Sequence, residues 1–94
     1  MSLEEVRARM AGVDRQIIAL ITERQNISTE IARIKHREGL PVHDDEQVKK
    51  VLERAFDLAV ENNIDPVRVQ QVFEVLVKMN EERQHEFFGE GNLP

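Results

Sequence analysis

The chain has 94 residues and a formal net charge of −5, with 33% charged and 40% hydrophobic residues and no Cys, Trp or Tyr. An acidic chain of this kind excludes broad electrostatic binding to nucleic acid, and the lack of cysteine excludes disulfides and Cys-based metal sites. The N-terminus is acidic and polar and no long apolar run follows, so we expect one cytoplasmic domain, 1–94, without signal peptide or membrane span.

The first predicted helix is very long and spans about residues 3–38. Ser2 and Glu5 have the Ser-x-x-Glu spacing of a capping box, and Gly39 and Pro41 end the helix. Apolar residues recur at alternating steps of three and four, which is typical of a helix with a coiled-coil-like seam. The seam consists of Leu3, Val6, Met10, Val13, Ile17, Leu20, Ile27, Ile31 and Ile34. Arg24 occupies a position in this series where an aliphatic residue is expected.

Two shorter helices are predicted at about residues 45–62 and 66–88. Asp44 and Gln47 form a second capping-box pattern. Asp65 followed by Pro66 is an N-cap with proline at the first helical position. The glycine-rich tail, 89–94, is expected to fray. The sequence therefore predicts an all-α fold of three helices.

The length of the first helix predicts a dimer. A helix over residues 3–38 would be about 54 Å long at about 1.5 Å per residue. Two short helices of the same chain cannot cover a seam of this length, and the remainder would be an exposed apolar strip. A second chain must cover that strip, most simply an identical one.

Polar side chains stand on the predicted apolar faces of two helices. Lys35 lies eleven residues after Arg24, within about 20° of the same helix face. Asn80 and Gln84 lie four residues apart on the apolar face of the third helix. No acidic residue on these faces pairs with Arg24, and a buried guanidinium without a counter-charge is costly. The pattern favours a site for a small dianion.

Each of these residues also has a structural explanation. Arg24 can pack its aliphatic stem and keep its head in water, and Asn80 and Gln84 can fix register or oligomeric state. These explanations leave open a non-enzymatic helical dimerisation module. The three histidines lack metal-ligand spacing, and we find no phosphate-binding glycine loop and no nucleophile motif. No metal site and no cofactor are therefore predicted.

Arg7 is a further candidate cation beside the seam residue Val6. It lies seventeen residues before Arg24, roughly 25 Å along a straight helix and on a different side. It cannot share a small ligand with Arg24 of its own chain. In an antiparallel or crossed dimer, the partner's Arg7 can reach that ligand.

Taken together, these residues resemble the all-helical class of chorismate mutases. The resemblance extends from about residue 3 to about residue 88. It rests on Arg7, "VDRQIIALITER" ending in Arg24, "IARIK" ending in Lys35, "GLPVHD" ending in Asp44, and the pair Asn80 and Gln84.

The resemblance implies an intertwined homodimer with two equivalent sites, each an isomerase that converts chorismate to prephenate without metal or cofactor, on the path to phenylalanine and tyrosine. Carried over by position, Lys35 and Gln84 would be catalytic at the ether oxygen of the substrate, and Lys35 would also contact a carboxylate. Arg24 and the partner's Arg7 would bind the substrate carboxylates. Asn80 would help to orient a carboxylate.

The chain departs from the family pattern after Asp44. The family usually has Arg-Glu there, and its acidic residue accepts a hydrogen bond from the ring hydroxyl, whereas this sequence has Gln47-Val48. Val48 cannot accept that bond, so either Gln47, Asp44 or a backbone group replaces it in the substrate-binding site, or the hydroxyl is recognised only weakly. The change keeps open a sister activity on the same fold, isochorismate-pyruvate lyase.

Overall fold

The computed structural model describes residues 1–89, which form three α-helices: α1 (Leu3–Glu38), α2 (Asp45–Glu61) and α3 (Pro66–Phe87). These residues contain no strand, so the predicted all-α fold is confirmed, and the predicted helix ends agree to within one residue. None of the helices in this range contains an apolar stretch of the length that a membrane span requires. The predicted fraying of 89–94 lies outside the described residues from position 90 onward.

The helix ends are set by local side chains, as the sequence indicated. Ser2 Oγ accepts a hydrogen bond from the backbone N–H of Glu5 at 3.1 Å, and Asp44 Oδ1 accepts one from the backbone N–H of Gln47 at 3.2 Å. These bonds satisfy N–H groups that the first turn of a helix leaves without a partner. Gly39 ends α1 with φ 70°, a left-handed conformation that glycine adopts without steric cost.

The three helices form a groove rather than a closed bundle. α3 packs closely on both other helices, whereas the backbones of α1 and α2 stay apart from each other. The buried residues of α1 and α2 include Ala32, Ala55 and Ala59, together with Ser28. Because these side chains are small, α3 can approach both helices closely. The C-terminal half of α1 and the N-terminal half of α2 thus become two walls, with α3 as the floor between them.

The predicted apolar seam of α1 is uncovered in the single chain. From residue 1 to residue 20 every residue except Gly12 is exposed, and Met10 and Leu20 are 62% and 60% exposed. The face of α1 that packs on α3 is the one that carries Ser28 and Ala32. The sequence predicted that the shorter helices can bury part of this seam, but all nine of its apolar residues are exposed, because α3 packs on a different face of α1 and the backbone of α2 stays apart from it.

A single chain buries little apolar surface. Within residues 1–89 the buried apolar side chains are Ala32, Val42, Ala55 and Ala59, and no large side chain is fully buried. The radius of gyration is 16.5 Å, compared with about 12 Å for a compact domain of this length. The fold therefore leaves most of its large aliphatic side chains available to a partner.

The N-cap of α3 provides a test of how far capping side chains stabilise the helix ends. Asp65 Oδ1 accepts hydrogen bonds from the backbone N–H groups of Val67 at 3.0 Å and Arg68 at 3.2 Å. We expect Asp65→Ala to lower the free energy of unfolding by about 1 kcal/mol, because both donors lose their partner. Urea denaturation measures the change. Asp57→Ala removes an exposed carboxylate from the interior of α2 and should change stability by less than about 0.5 kcal/mol. An equal loss in both variants would contradict the capping role.

Candidate active site

A cavity of about 240 Å³ lies between α1, α2 and α3. Seven of the eight predicted site residues line it, namely Arg24, Lys35, Asp44, Gln47, Val48, Asn80 and Gln84. Arg7 does not line it and is exposed on the N-terminal part of α1. Sites for drug-sized ligands are usually about 300–1,000 Å³, so a cavity of this size suits a small molecule.

The guanidinium of Arg24 is half-buried on one wall of the cavity. Its Nη2 donates a hydrogen bond to Asn80 Oδ1 at 2.8 Å, and its Cζ lies 5.7 Å from the ring centroid of Phe73. Its Nε is buried and has no hydrogen-bond partner within residues 1–89, which also supply no carboxylate partner. Burial lowers the pKa of Arg24, and the nearby positive charge of Arg54 lowers it further. Within the described residues, Arg24 therefore lacks a hydrogen-bond acceptor for its Nε and a negatively charged partner.

Two hydrogen bonds fix Asn80 so that the oxygen of its side-chain amide faces Arg24. Its Nδ2 donates to Gln25 Oε1 at 2.7 Å, and its backbone carbonyl accepts from Ser28 Oγ at 3.0 Å. The amide nitrogen is thereby committed to Gln25, which leaves the amide oxygen for the guanidinium. The predicted proximity of Asn80 and Arg24 thus results from a network that joins α1 to α3.

Lys35 and Gln84 form a second pair at the other end of the cavity. Lys35 Nζ donates to Gln84 Oε1 at 2.9 Å and to the backbone carbonyl of Val42 at 2.6 Å. Gln84 is buried, and its Nε2 donates to Ser28 Oγ at 3.0 Å. An ammonium has three N–H donors and an amide nitrogen has two. Each of these side chains therefore retains one donor for a ligand in the cavity.

The start of α2 supplies a mixed wall. Asp44 uses Oδ1 to cap the helix, and Gln47 donates its backbone N–H to that oxygen. Both side chains line the cavity, so the second carboxylate oxygen of Asp44 and the side-chain amide of Gln47 are polar groups available there. Val48 is half-buried and lines the same wall with Val51. This wall combines hydrogen-bond acceptors with an apolar surface.

The cavity is lined by more cations than anions although the whole chain is acidic. Three cations line it, Arg24, Lys35 and Arg54, and two carboxylates line it, Asp44 and Glu81. Both carboxylates already have hydrogen-bond partners, since Asp44 caps α2 and Glu81 Oε1 lies 2.8 Å from His43 Nδ1. Within residues 1–89 no group of three or more His, Cys, Asp or Glu side chains could hold a metal ion. The available chemistry is therefore anion binding and hydrogen-bond donation.

Sequence reasoning missed several residues that build this site. Ser28 accepts from Gln84 and donates to the backbone of Asn80, and Arg54 adds a cation from α2. A signal was present in each helix, because Ser28 lies one turn after Arg24 and Arg54 lies two turns after Gln47, on the same helix faces. Their importance depends on which faces meet, which helical periodicity alone does not specify.

His43 connects the loop before α2 to α3 at the edge of the cavity. Its Nε2 contacts Asp45 Oδ1 at 2.5 Å, and its Nδ1 contacts Glu81 Oε1 at 2.8 Å. Hydrogen bonds to Asp45 and then to Glu81 raise the pKa of the exposed His43 imidazole. The protonated imidazole donates to both carboxylates at once, and the neutral imidazole can donate to only one.

Known proteins resemble this chain over nearly its full length. Residues 6–85, a range that includes every residue lining the cavity, match the family model of chorismate mutase type II. The chain is 31% identical over 88 residues to the chorismate mutase of Methanocaldococcus jannaschii, covering 94% of this chain and 89% of that protein. It is 23% identical over 73 residues to the bifunctional chorismate mutase/prephenate dehydratase of Escherichia coli K12, covering 78% of this chain and 19% of that protein. A solved structure of a conserved hypothetical protein from Pyrococcus furiosus has a TM-score of 0.72 and 27% identity, over 87% of this chain and 93% of that chain.

The His43 contacts predict a pH dependence of stability. Because the pKa of His43 is raised in the folded state, its stabilising contribution is complete below the unfolded pKa of about 6.5 and is lost as the pH rises through the folded pKa. Between these values, wild type should lose stability relative to His43→Gln, measured by urea denaturation across the pH range. Identical pH profiles for the two proteins would contradict the assignment. In an NMR titration, Asp45→Asn should lower the pKa of His43, because it removes the first acceptor.

Proposed function

This chain belongs to the chorismate mutase type II family, and we propose how its cavity carries out that family's reaction. The enzyme is an isomerase that converts chorismate to prephenate in aromatic amino acid biosynthesis. The alternatives left open by the sequence, isochorismate-pyruvate lyase and a non-enzymatic dimerisation module, are not favoured, because the similarity to chorismate mutases extends over most of the chain. The assignment of residues 1–94 to one domain and the cytoplasmic location stay predictions.

The reaction places two physical demands on the site. Within one substrate molecule, a carbon–carbon bond forms while the ether carbon–oxygen bond breaks, so no external nucleophile is needed. The site must hold the flexible enolpyruvyl arm over the ring in a near-attack conformation. It must also stabilise the negative charge that grows on the ether oxygen as the bond breaks. Contacts that are stronger in the transition state than in the substrate raise the rate.

Arg24 is suited to the first demand, and we assign it one substrate carboxylate. Its Nε is buried without a partner, and Asn80 holds its Nη2 at 2.8 Å. A carboxylate can accept from a guanidinium through two parallel N–H···O bonds. Such an anion would satisfy the unpartnered Nε and supply the missing counter-charge. Asn80 would then orient the guanidinium and thereby the substrate.

Lys35 and Gln84 are suited to the second demand, and their pairing is the observation on which the mechanism depends. Lys35 Nζ lies 2.9 Å from Gln84 Oε1, and each side chain retains one N–H donor. We assign both donors to the ether oxygen of the substrate. Ser28 and the carbonyl of Val42 hold the two side chains before substrate binds, so little reorganisation is needed as charge develops.

The wall at the start of α2 is the proposed contact for the ring and its hydroxyl. Val48 cannot accept a hydrogen bond, and it packs beside Val51 as an apolar surface for the ring. Gln47 and Asp44 both line the cavity with polar atoms. We assign the hydroxyl to one of these two side chains, with Asp44 the stronger acceptor because it is ionised.

We propose a homodimer in which Arg7 acts in trans. The exposed apolar face of α1 supports a partner chain, since residues 1–20 are exposed apart from Gly12 and the fold buries few large side chains. Arg7 does not line the cavity of its own chain. In a dimer formed along α1, the partner's Arg7 would reach the cavity and bind the second substrate carboxylate. An identical chain is the simplest partner for such a face.

The electrostatic role of Lys35 is tested by its effect on turnover. The purified protein should convert chorismate to prephenate, and Lys35→Ala should lower kcat by on the order of 10²-fold or more, because a donor to the ether oxygen is lost. Lys78→Ala, at an exposed position of α3 outside the cavity, should leave kcat unchanged. Circular dichroism verifies that both variants remain helical. A wild-type kcat in the Lys35→Ala protein would remove the proposed role.

The trans assignment of Arg7 is tested by mixing two inactive chains. One chain carries Arg7→Ala, the other carries Arg24→Ala, and different affinity tags allow heterodimers to be purified. In trans, one of the two sites has both arginines, so the heterodimer should show about half of the wild-type activity. In cis, no site has both, and the heterodimer would be inactive. Mock mixtures of each variant with itself provide the control.

A further inference from the structure

Arg54 is a cation of the cavity that the mechanism above does not use. It lines the cavity from α2, seven residues after Gln47, which places both within about 20° of one helix face. The other cavity-lining residues within α2 are Gln47, Val48 and Val51, so Arg54 is the positive charge on this wall. Its side chain makes no hydrogen bond and no ion pair within residues 1–89.

Arg54 stands across the cavity from Arg24. The first residue is on α2 and the second is on α1, two helices that line the same cavity and whose backbones stay apart. The positive charge of Arg54 is close enough to lower the pKa of Arg24, in addition to the effect of burial. The two positive charges repel each other. An anion between them would be attracted to both, and these attractions would outweigh the repulsion.

The other charged groups of the cavity do not neutralise Arg54. Glu81 is hydrogen-bonded to His43, and Asp44 caps α2. Lys35 is bonded to the carbonyl of Val42 and to Gln84, at the opposite end of the site from Arg24. The facing arginines are therefore a pair of cations that share no carboxylate of this chain.

We propose that Arg54 is a substrate-binding residue, whose guanidinium contacts from α2 the same carboxylate that Arg24 contacts from α1. This inference rests on the proposed function, because it names a further ligand-binding group of the same site. A guanidinium presents several N–H donors in a planar fork that matches a carboxylate. A carboxylate held between two such forks is fixed to both walls of the groove, so its binding also sets the distance between α1 and α2.

The expected kinetic effect is on binding more than on turnover. The carboxylate bears the same charge in the substrate and in the transition state, since the rearrangement moves charge to the ether oxygen. A contact of this kind provides uniform binding and changes KM rather than kcat. Because Arg54 is exposed, its attraction for an anion should also weaken as salt increases.

The test compares Arg54→Gln with Lys50→Gln, using chorismate as the substrate. Lys50 is an exposed cation of α2 outside the cavity, and each variant changes the net charge from −5 to −6. We expect Arg54→Gln to raise KM about tenfold with kcat within about twofold of wild type, and Lys50→Gln to change neither. Arg54→Lys retains the charge and should recover part of the lost affinity. The salt dependence of KM should be weaker for Arg54→Gln than for wild type.

Each outcome decides between defined alternatives. A KM for Arg54→Gln within twofold of wild type, or an equal increase in both glutamine variants, would overturn the inference while leaving the proposed function intact. A fall in kcat without a change in KM would also overturn it. If the wild-type protein does not convert chorismate, the proposed function itself fails. Thermal unfolding of Arg54→Gln, monitored by circular dichroism, separates a loss of binding from a loss of fold.

Discussion

The site depends on a half-buried guanidinium that lacks a carboxylate partner within the described residues. Arg24 loses hydration by lying at the α1–α3 contact, and Asn80 returns only one of the hydrogen bonds that water would make. A charge in this condition is costly for the folded chain and favourable for an anionic ligand, because the ligand restores what burial removes. The unpaired charge therefore lowers the stability of the unliganded chain and raises its affinity for an anion.

The small size of the residues at the helix contacts explains the shape of the chain. Small residues on α1 and α2 allow α3 to pack closely on each, and the two outer helices stay apart. The gap forms the cavity, and the separation also leaves the aliphatic seam of α1 exposed. Stability and activity are therefore expected to depend together on the second chain, since in the proposed dimer the helix surface that buries the seam also delivers Arg7.

A positive cavity in an acidic protein has a further consequence. The chain carries a net charge of −5, so its long-range field repels anionic substrates, and binding depends on charges at short range. Local cations in a partly desolvated groove meet this requirement, because attraction between nearby charges strengthens as water is excluded. The uncharged polar network of Ser28, Asn80 and Gln84 then orients the donors.

The sequence by itself determined the helices, their caps and the residues that break the apolar pattern, because helix periodicity and capping are local properties. It therefore identified Arg24, Lys35, Asn80 and Gln84 as exceptional, and the resemblance to a known family suggested a role for each of them. Only the tertiary structure decided which helix faces meet, since packing depends on side-chain size at positions far apart in the chain. That packing brought Ser28 into the network and placed Arg54 of α2 in the same cavity as Arg24.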